Sequence, residues 1–307
     1  MKTSLYPNTI LKGAVAIMTI TWAFGSPMAK EVNENKFVPL DAVREIQVIM
    51  SAEPVTVIRT EPGNDIRFRL YGKSMQEIHL GSEMHNMIVT VETKRKHSFP
   101  MPEDLALDIY LPENYKNGLS IKTSSGSVRL ESVELENISL QTSSGGLEAG
   151  ELHAGKIGIT TSSGKIKIQK IVAQELKIKG TSSSVAIDEC TAAESRIETS
   201  SGGIILKKSR GNLNVNTTSG SVKTRCTEFD SRCIRIATSS GHVSLELPTA
   251  AEFQIQAKTG SGKIQTDFPV ITTGAADPRK IEGRVGATNN TIDIFTSTGS
   301  MKVLKSN

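Results

Sequence analysis

The sequence predicts an all-β protein whose body is a right-handed, single-chain β-helix (β-solenoid) of about 18–21 residues per coil, led by a β-rich N-terminal cap. Two observations carry that expectation: a Thr-Ser-Ser-Gly motif that recurs nine times from residue 119 onward, and apolar–polar alternation on both sides of it. A third is composition. Aromatic residues make up only 4% of the 307, so large rings cannot build the core, whereas stacked Ile, Val and Leu can.

The motif comes first. Its fourth position falls at Gly126, Gly145, Gly164, Ser183, Gly202, Gly220, Gly241, Gly262 and Gly299. Successive spacings are 19, 19, 19, 19, 18, 21, 21 and 37, a period near 20 that fits stacked coils and not propeller blades, which need about 40 residues each. The last gap, close to two periods, implies a coil that has lost its motif or carries an insertion. Five residues before each fourth position stands an aliphatic residue, such as Ile121, Ile159 or Ile178; two and four residues after it stand others, such as Ile166 and Ile168. Alternation of period two on both sides of a four-residue break means strand, turn, strand with one face buried. The Gly is expected to supply a positive φ at each bend, and the hydroxylated residues to stack on their copies in neighbouring coils. Parallel crossovers are overwhelmingly right-handed, which sets the expected winding sense.

Residues 1–29 read as a signal peptide. Lys2 and Lys12 precede an uncharged run from Gly13 to Phe24, with small residues offering cleavage after Gly25 or Ala29. That run is too short to span a bilayer, no Cys near it allows a lipid anchor, and no second apolar stretch follows, so no membrane span is expected after cleavage. Without Lys2 and Lys12 the chain holds 34 basic and 32 acidic residues, not the excess of a nucleic-acid binder.

Residues 37–116 are β-rich without the motif and are expected to cap the solenoid of residues 117–307, because an open coil exposes core and unpaired strand groups. Candidate strands are Arg44–Met50, Val55–Thr60, Ile66–Tyr71, Met87–Thr93 and Leu105–Leu111, with Glu61-Pro62-Gly63-Asn64 composed like a type II turn. The basic run Lys94-Arg95-Lys96-His97 reads as a solvated loop.

Chemistry is sparse. No phosphate-binding loop, zinc-protease motif or nucleophile elbow is present, and no motif serine has a base beside it except near His242, which reads as an exposed spacer. Glu131, Glu134, Glu136, Glu148 and Glu151 form a small acidic patch that could take a cation or a glycan. Cys226 and Cys233 flank one inter-strand loop and could form a disulfide, leaving Cys190 unpaired; three free thiols are the alternative. No catalytic, metal or cofactor site is expected.

The Thr-Ser-Ser-Gly repeats, the signal-like N-terminus and the ending Ile292-Asp293-Ile294-Phe295-Thr296-Ser297-Thr298-Gly299-Ser300-Met301-Lys302-Val303 together resemble a bacterial exported family labelled putative adhesin. The resemblance covers residues 40 to 305. It implies a non-catalytic protein of the periplasm, cell surface or medium, a scaffold whose partner is an envelope protein or a surface glycan. An envelope regulatory protein that binds another protein is the alternative, and a carbohydrate-active β-helix enzyme a more distant one.

Overall fold

The computed structural model describes residues 29–96, 103–229, 232–272 and 277–306. The expected signal peptide and His97 lie outside them. Apart from one 3-10 turn, Leu40–Ala42, the regular structure is β-strand. Among the described residues no helix is long and apolar enough to cross a membrane.

One coil shows how the sequence becomes structure. Along Leu147–Thr161 the buried residues are Leu147, Ala149, Leu152, Ile157, Ile159 and Thr161. Steps of two keep side chains on the inner face of a strand; wider steps move the inner face to a new run. The ladder to the next coil agrees, pairing 147–149, 151–154 and 156–161 and skipping Gly150 and Gly155. Each such coil is therefore three straight runs joined by bends, the third bend being the Thr-Ser-Ser-Gly turn. Parallel partners lie nineteen residues apart at Leu147↔Ile166, Ile166↔Val185 and Val185↔Ile204, then eighteen at Ile204↔Val222. All-parallel stacking of like on like buries the whole aliphatic column.

At both ends, spatial order departs from chain order. Cys233–Ser240 pairs with Thr291–Thr298, and Val243–Pro248 with Met301–Ser306; these in turn pair with Phe253–Ser261 and Ile264–Thr266. The last motif coil thus lies between the Gly241 and Gly262 coils. The long gap before it holds no degenerate coil. Instead Lys280–Val285 runs antiparallel along Phe253–Ser261 and carries Ile271–Thr272 on its other edge, covering the end of the stack.

The N-terminal region does the same in mirror fashion. Glu45–Met50 and Val55–Thr60 form a coil that pairs on one side with the first motif coil, Gly118–Thr123 and Val128–Leu130. On its other side lie Ile88–Arg95 and Glu103–Pro112. Asp65–Ser74 and Lys30–Pro39 extend the edge antiparallel, and Ile78–His85 folds back on Ile88–Arg95. The lead-in is thus one full coil plus a cover, and a single apolar core runs from Val38 to Val303 with no break at residue 116.

Two local expectations are corrected. The turn at Glu61–Asn64 is not type II, since Gly63 is not at positive φ; the Asn114 side chain holds it instead, accepting from Gly63 N–H and donating to Gly63 O, each at 3.0 Å. The Cys226–Cys233 bridge is not formed. Cys226 points into the core, with its Sγ 3.4 Å from the Ser209 hydroxyl, while Cys233 faces solvent, and all three cysteines are free thiols.

Candidate functional site

The repeated turn explains its own composition. A Cβ placed on Gly145 would lie 1.9 Å from the carbonyl oxygen of Gly126, one on Gly164 1.9 Å from Gly145 O, and one on Gly241 2.0 Å from Gly220 O. Close approach of the neighbouring coil demands glycine there. Positive φ is the exception, as at Gly202 (φ 124°). The threonine three residues earlier is buried, not stacked outside. Thr123, Thr142 and Thr161 accept from the N–H of Gly126, Gly145 and Gly164 at 2.9–3.0 Å. Several of these hydroxyls donate to a neighbouring coil's carbonyl, as from Thr123 to Ser51 O and from Thr296 to Gly241 O, while Thr199 donates to the Thr217 hydroxyl. Buried polar groups are thereby satisfied.

Beside these turns runs an open groove of about 790 Å³ spanning seven coils. Its floor takes one outward residue per coil, in spatial order Thr160, Lys179, Glu198, Asn216, Ala237, Phe295 and Lys258, and its wall is the Ser or Thr of each turn, with Gly260 in the last. Coils repeat about every 4.8 Å, so the wall offers hydroxyls at that interval, while the floor mixes Lys179, Glu198 and Lys258 with Asn216 and Phe295.

A second surface lies on the outer face of the N-terminal sheet. Ile66, Phe68 and Leu70 point inward, so Arg67, Arg69 and Tyr71 point out; Asp108 and Tyr110 do the same on the paired strand Glu103–Pro112. The Arg67 guanidinium stacks 3.7 Å over the Tyr110 ring, and that of Arg69 lies 5.0 Å over Tyr71. The Tyr71 hydroxyl is 3.5 Å from Asp108 Oδ1. Burial under this cover raises the Asp108 carboxyl above the ordinary carboxylate range, against the pull of Arg69 and the tyrosine hydroxyls. Burial, together with that carboxylate, also raises Tyr71.

Most of the charged residues singled out in the sequence have side-chain partners. In the acidic patch, Glu148 meets Arg129 at 3.2 Å, Glu134 meets Lys116 at 2.5 Å and Glu151 meets Lys170 at 3.1 Å. Glu131 accepts from the Arg59 backbone N–H. Lys94 and Lys96 bridge Glu83 and Glu77, and Arg95 binds Glu53 and Glu103. His242 is exposed and its Nδ1 accepts from Ser300 N–H, joining two coils. Among the described residues no three His, Cys, Asp or Glu side chains gather where they could hold a metal ion.

The architecture defines a class: an all-β scaffold of stacked parallel coils closed at each end by antiparallel strands. The chain belongs to the Toastrack DUF4097 family, which it matches over residues 43–304. Its fold is shared with a putative lipid binding protein from Parabacteroides distasonis, at 14% identity and TM-score 0.51, over 90% of this chain and 97% of that one. Two putative adhesins also align: one from Parabacteroides merdae (12% identity, TM-score 0.45, 90% of this chain and 96% of that one) and one from Bacteroides fragilis (13%, 0.41, 91% and 99%). No curated protein matches the sequence significantly.

Proposed function

We propose that this is a non-catalytic, exported scaffold of the cell envelope or surface that binds a glycan chain along the seven-coil groove. One observation supports it above the rest: six of the seven coils place a Ser or Thr hydroxyl on the groove wall, at a spacing comparable to one unit of an extended sugar chain, and Glu198 is the one carboxylate among the lining residues, short of the acid pair that cleavage needs. Export is supported by the Lys-flanked apolar run before Gly25, and the mature protein should begin at or near Ser26 or Lys30.

Ala237 is half-buried at the fifth of the seven floor positions, so Ala237→Arg would block the groove while changing stability by about 0.5 kcal/mol or less. Purified mature protein should bind polysaccharide from its own envelope and the variant should not, both melting alike. Equal binding by the two would overturn the groove assignment. Release of reducing ends during the assay would overturn the non-catalytic reading.

A further inference from the structure

We propose that Phe295 is the anchoring subsite of the groove, a platform on which one pyranose of the bound chain stacks through an uncharged C–H face; this rests on the groove's being a glycan site. The position is distinctive already in the sequence. In the outward column that forms the floor, the other motif coils carry Lys122, Gln141, Thr160, Lys179, Glu198, Asn216, Ala237 and Lys258, all polar or small. Phe295 is the one aromatic residue among those lining the groove. A ring in an outward column adds nothing to the core, where Ile294 and Thr296 already fill the inner face of this strand.

The surroundings leave the ring available. Phe295 is half-buried between its ladder partners Ala237 and Lys258. Ala237 is too short to cover a ring, and Gly260 lowers the wall at this end. Tyr71, Tyr110 and Phe268 each carry a cation over the ring, whereas among the described residues none lies over Phe295. The negative face of such a ring attracts the polarised C–H groups of a sugar. Two residues back on the same strands, Asp293 and Gln256 also point outward, and they line an adjoining cavity of about 590 Å³. Neither side chain has a hydrogen-bond partner among the described residues, so both can hold the hydroxyl edge of a sugar lying on the ring. Charge does not choose the ligand. Lys258 and Arg284 stand here against Asp293 and Glu282, and Lys280 bridges Glu282 at 2.7 Å. What this end offers that the other coils lack is the ring.

The one tryptophan, Trp22, lies in the expected signal peptide, so Phe295→Trp gives mature protein a single indole, placed on the groove floor. Titration of that variant with polysaccharide from its own envelope should give a saturable change in indole emission, at an affinity within about three-fold of the parent's by calorimetry. Phe295→Ala and Phe295→Leu should both weaken binding about ten-fold or more; leucine keeps the apolar bulk and the melting temperature but not the flat ring. Thr160→Ala, at the far end of the floor, should matter far less. Raising salt from about 50 mM to about 500 mM should leave the affinity within about two-fold, as an uncharged contact requires. The groove and its anchor fail separately. If Ala237→Arg abolishes binding while Phe295→Leu binds like the parent, the groove stands and the anchor falls; if neither variant matters, both fall. A silent indole, or an affinity lost about ten-fold in high salt, would each overturn the stacking of an uncharged sugar face.

Discussion

Two neighbouring glycines differ sharply in what they are for. Gly145 faces the Gly126 carbonyl of the adjacent coil at a distance no Cβ tolerates, whereas Gly146 meets only Lys165 O, at 3.8 Å. Gly145→Ala should cost about 3 kcal/mol because backbone must move. Gly146→Ala should be neutral or slightly stabilising, since it restricts only the unfolded chain. Thermal melts of the pair check this, and equal shifts would mean the close approach is absent. Among the motif coils, the one with serine in place of the glycine shows the same packing in reverse. In Ile178-Lys179-Gly180-Thr181-Ser182-Ser183, glycine has moved to the threonine position and serine to the glycine position. A Cβ on Gly180 would lie 1.7 Å from the Ser183 hydroxyl, so the serine side chain fills the space of the missing threonine, buried and without a hydrogen-bond partner. Gly180→Thr should therefore clash, and Ser183→Gly should relieve it by restoring Thr-to-Gly capping. Denaturant unfolding of the two single variants and the double should give a coupling energy of about 1–3 kcal/mol favouring the double. Additive effects would contradict the exchange of places.

Between coils, alternating charge supports the register. Glu151, Lys170, Glu189 and Lys208 are successive ladder partners, with Lys170 3.1 Å from Glu151 and Lys208 2.5 Å from Glu189. Such exposed pairs contribute little singly but favour the in-register stack over a slipped one. One pair is different. In the lead-in coil Met50-Ser51-Ala52-Glu53 stands where the motif would be, and Glu53 is buried at the glycine position. Burial alone would raise its pKa, but backbone N–H groups, Arg95 and the Thr93 hydroxyl outweigh that and hold it below the ordinary carboxylate value. A depressed pKa means the pair stabilises the fold above the unfolded value, about 4.3, and the benefit is lost as pH falls through the lower folded value. Glu53→Gln should cost about 2 kcal/mol at pH 7, less than a wholly buried pair because Arg95 is a quarter exposed and keeps Glu103. Melts at pH 7 and pH 3 check the sign: the gap between parent and variant should narrow in acid, and a constant gap would contradict it. This coil was half legible in the sequence. Its strands, Glu45–Met50 and Val55–Thr60, alternate clearly, but Met50-Ser51-Ala52-Glu53 has neither the threonine nor the glycine of the motif, because Glu53 meets the Arg95 guanidinium there. Lys30–Pro39 and Ile78–His85 were illegible for a plainer reason. They are edge strands whose charged, weakly apolar sequences suit an exposed edge and erase the alternation.

At the scale of the whole molecule, periodicity revealed the coils but not their order at the ends. The Gly262 motif follows Gly241 by the same 21 residues that separate Gly220 from Gly241, so sequence spacing alone stacks Gly262 directly on Gly241. In the structure a Cβ on Gly262 would meet Gly299 O at 2.2 Å and one on Gly299 would meet Gly241 O at 2.1 Å, so the last coil of the chain lies between them. Thr291–Thr298 and Met301–Ser306 at one end, and Glu45–Met50 and Val55–Thr60 at the other, thus lie one coil inside the stack with a neighbour on each face, while Lys30–Pro39 runs along the outer edge. Engineered cysteines distinguish the two orders. Ser240 and Thr298 are ladder partners, their hydroxyls 3.0 Å apart, and Thr298 pairs in turn with Ser261. Adjacent parallel strands put paired Cα atoms about 4.8 Å apart, within disulfide reach, whereas positions two coils apart are separated by about 9.6 Å, beyond it. With Cys233 changed to Ser and the buried Cys190 and Cys226 left in place, Ser240→Cys with Thr298→Cys should oxidise readily to an intramolecular bridge. Ser261→Cys with Thr298→Cys should do the same, and Ser240→Cys with Ser261→Cys should stay reduced. Mass spectrometry after mild oxidation reads all three. A bridge between positions 240 and 261 would mean the coils stack in chain order, with the terminal coil on the outside.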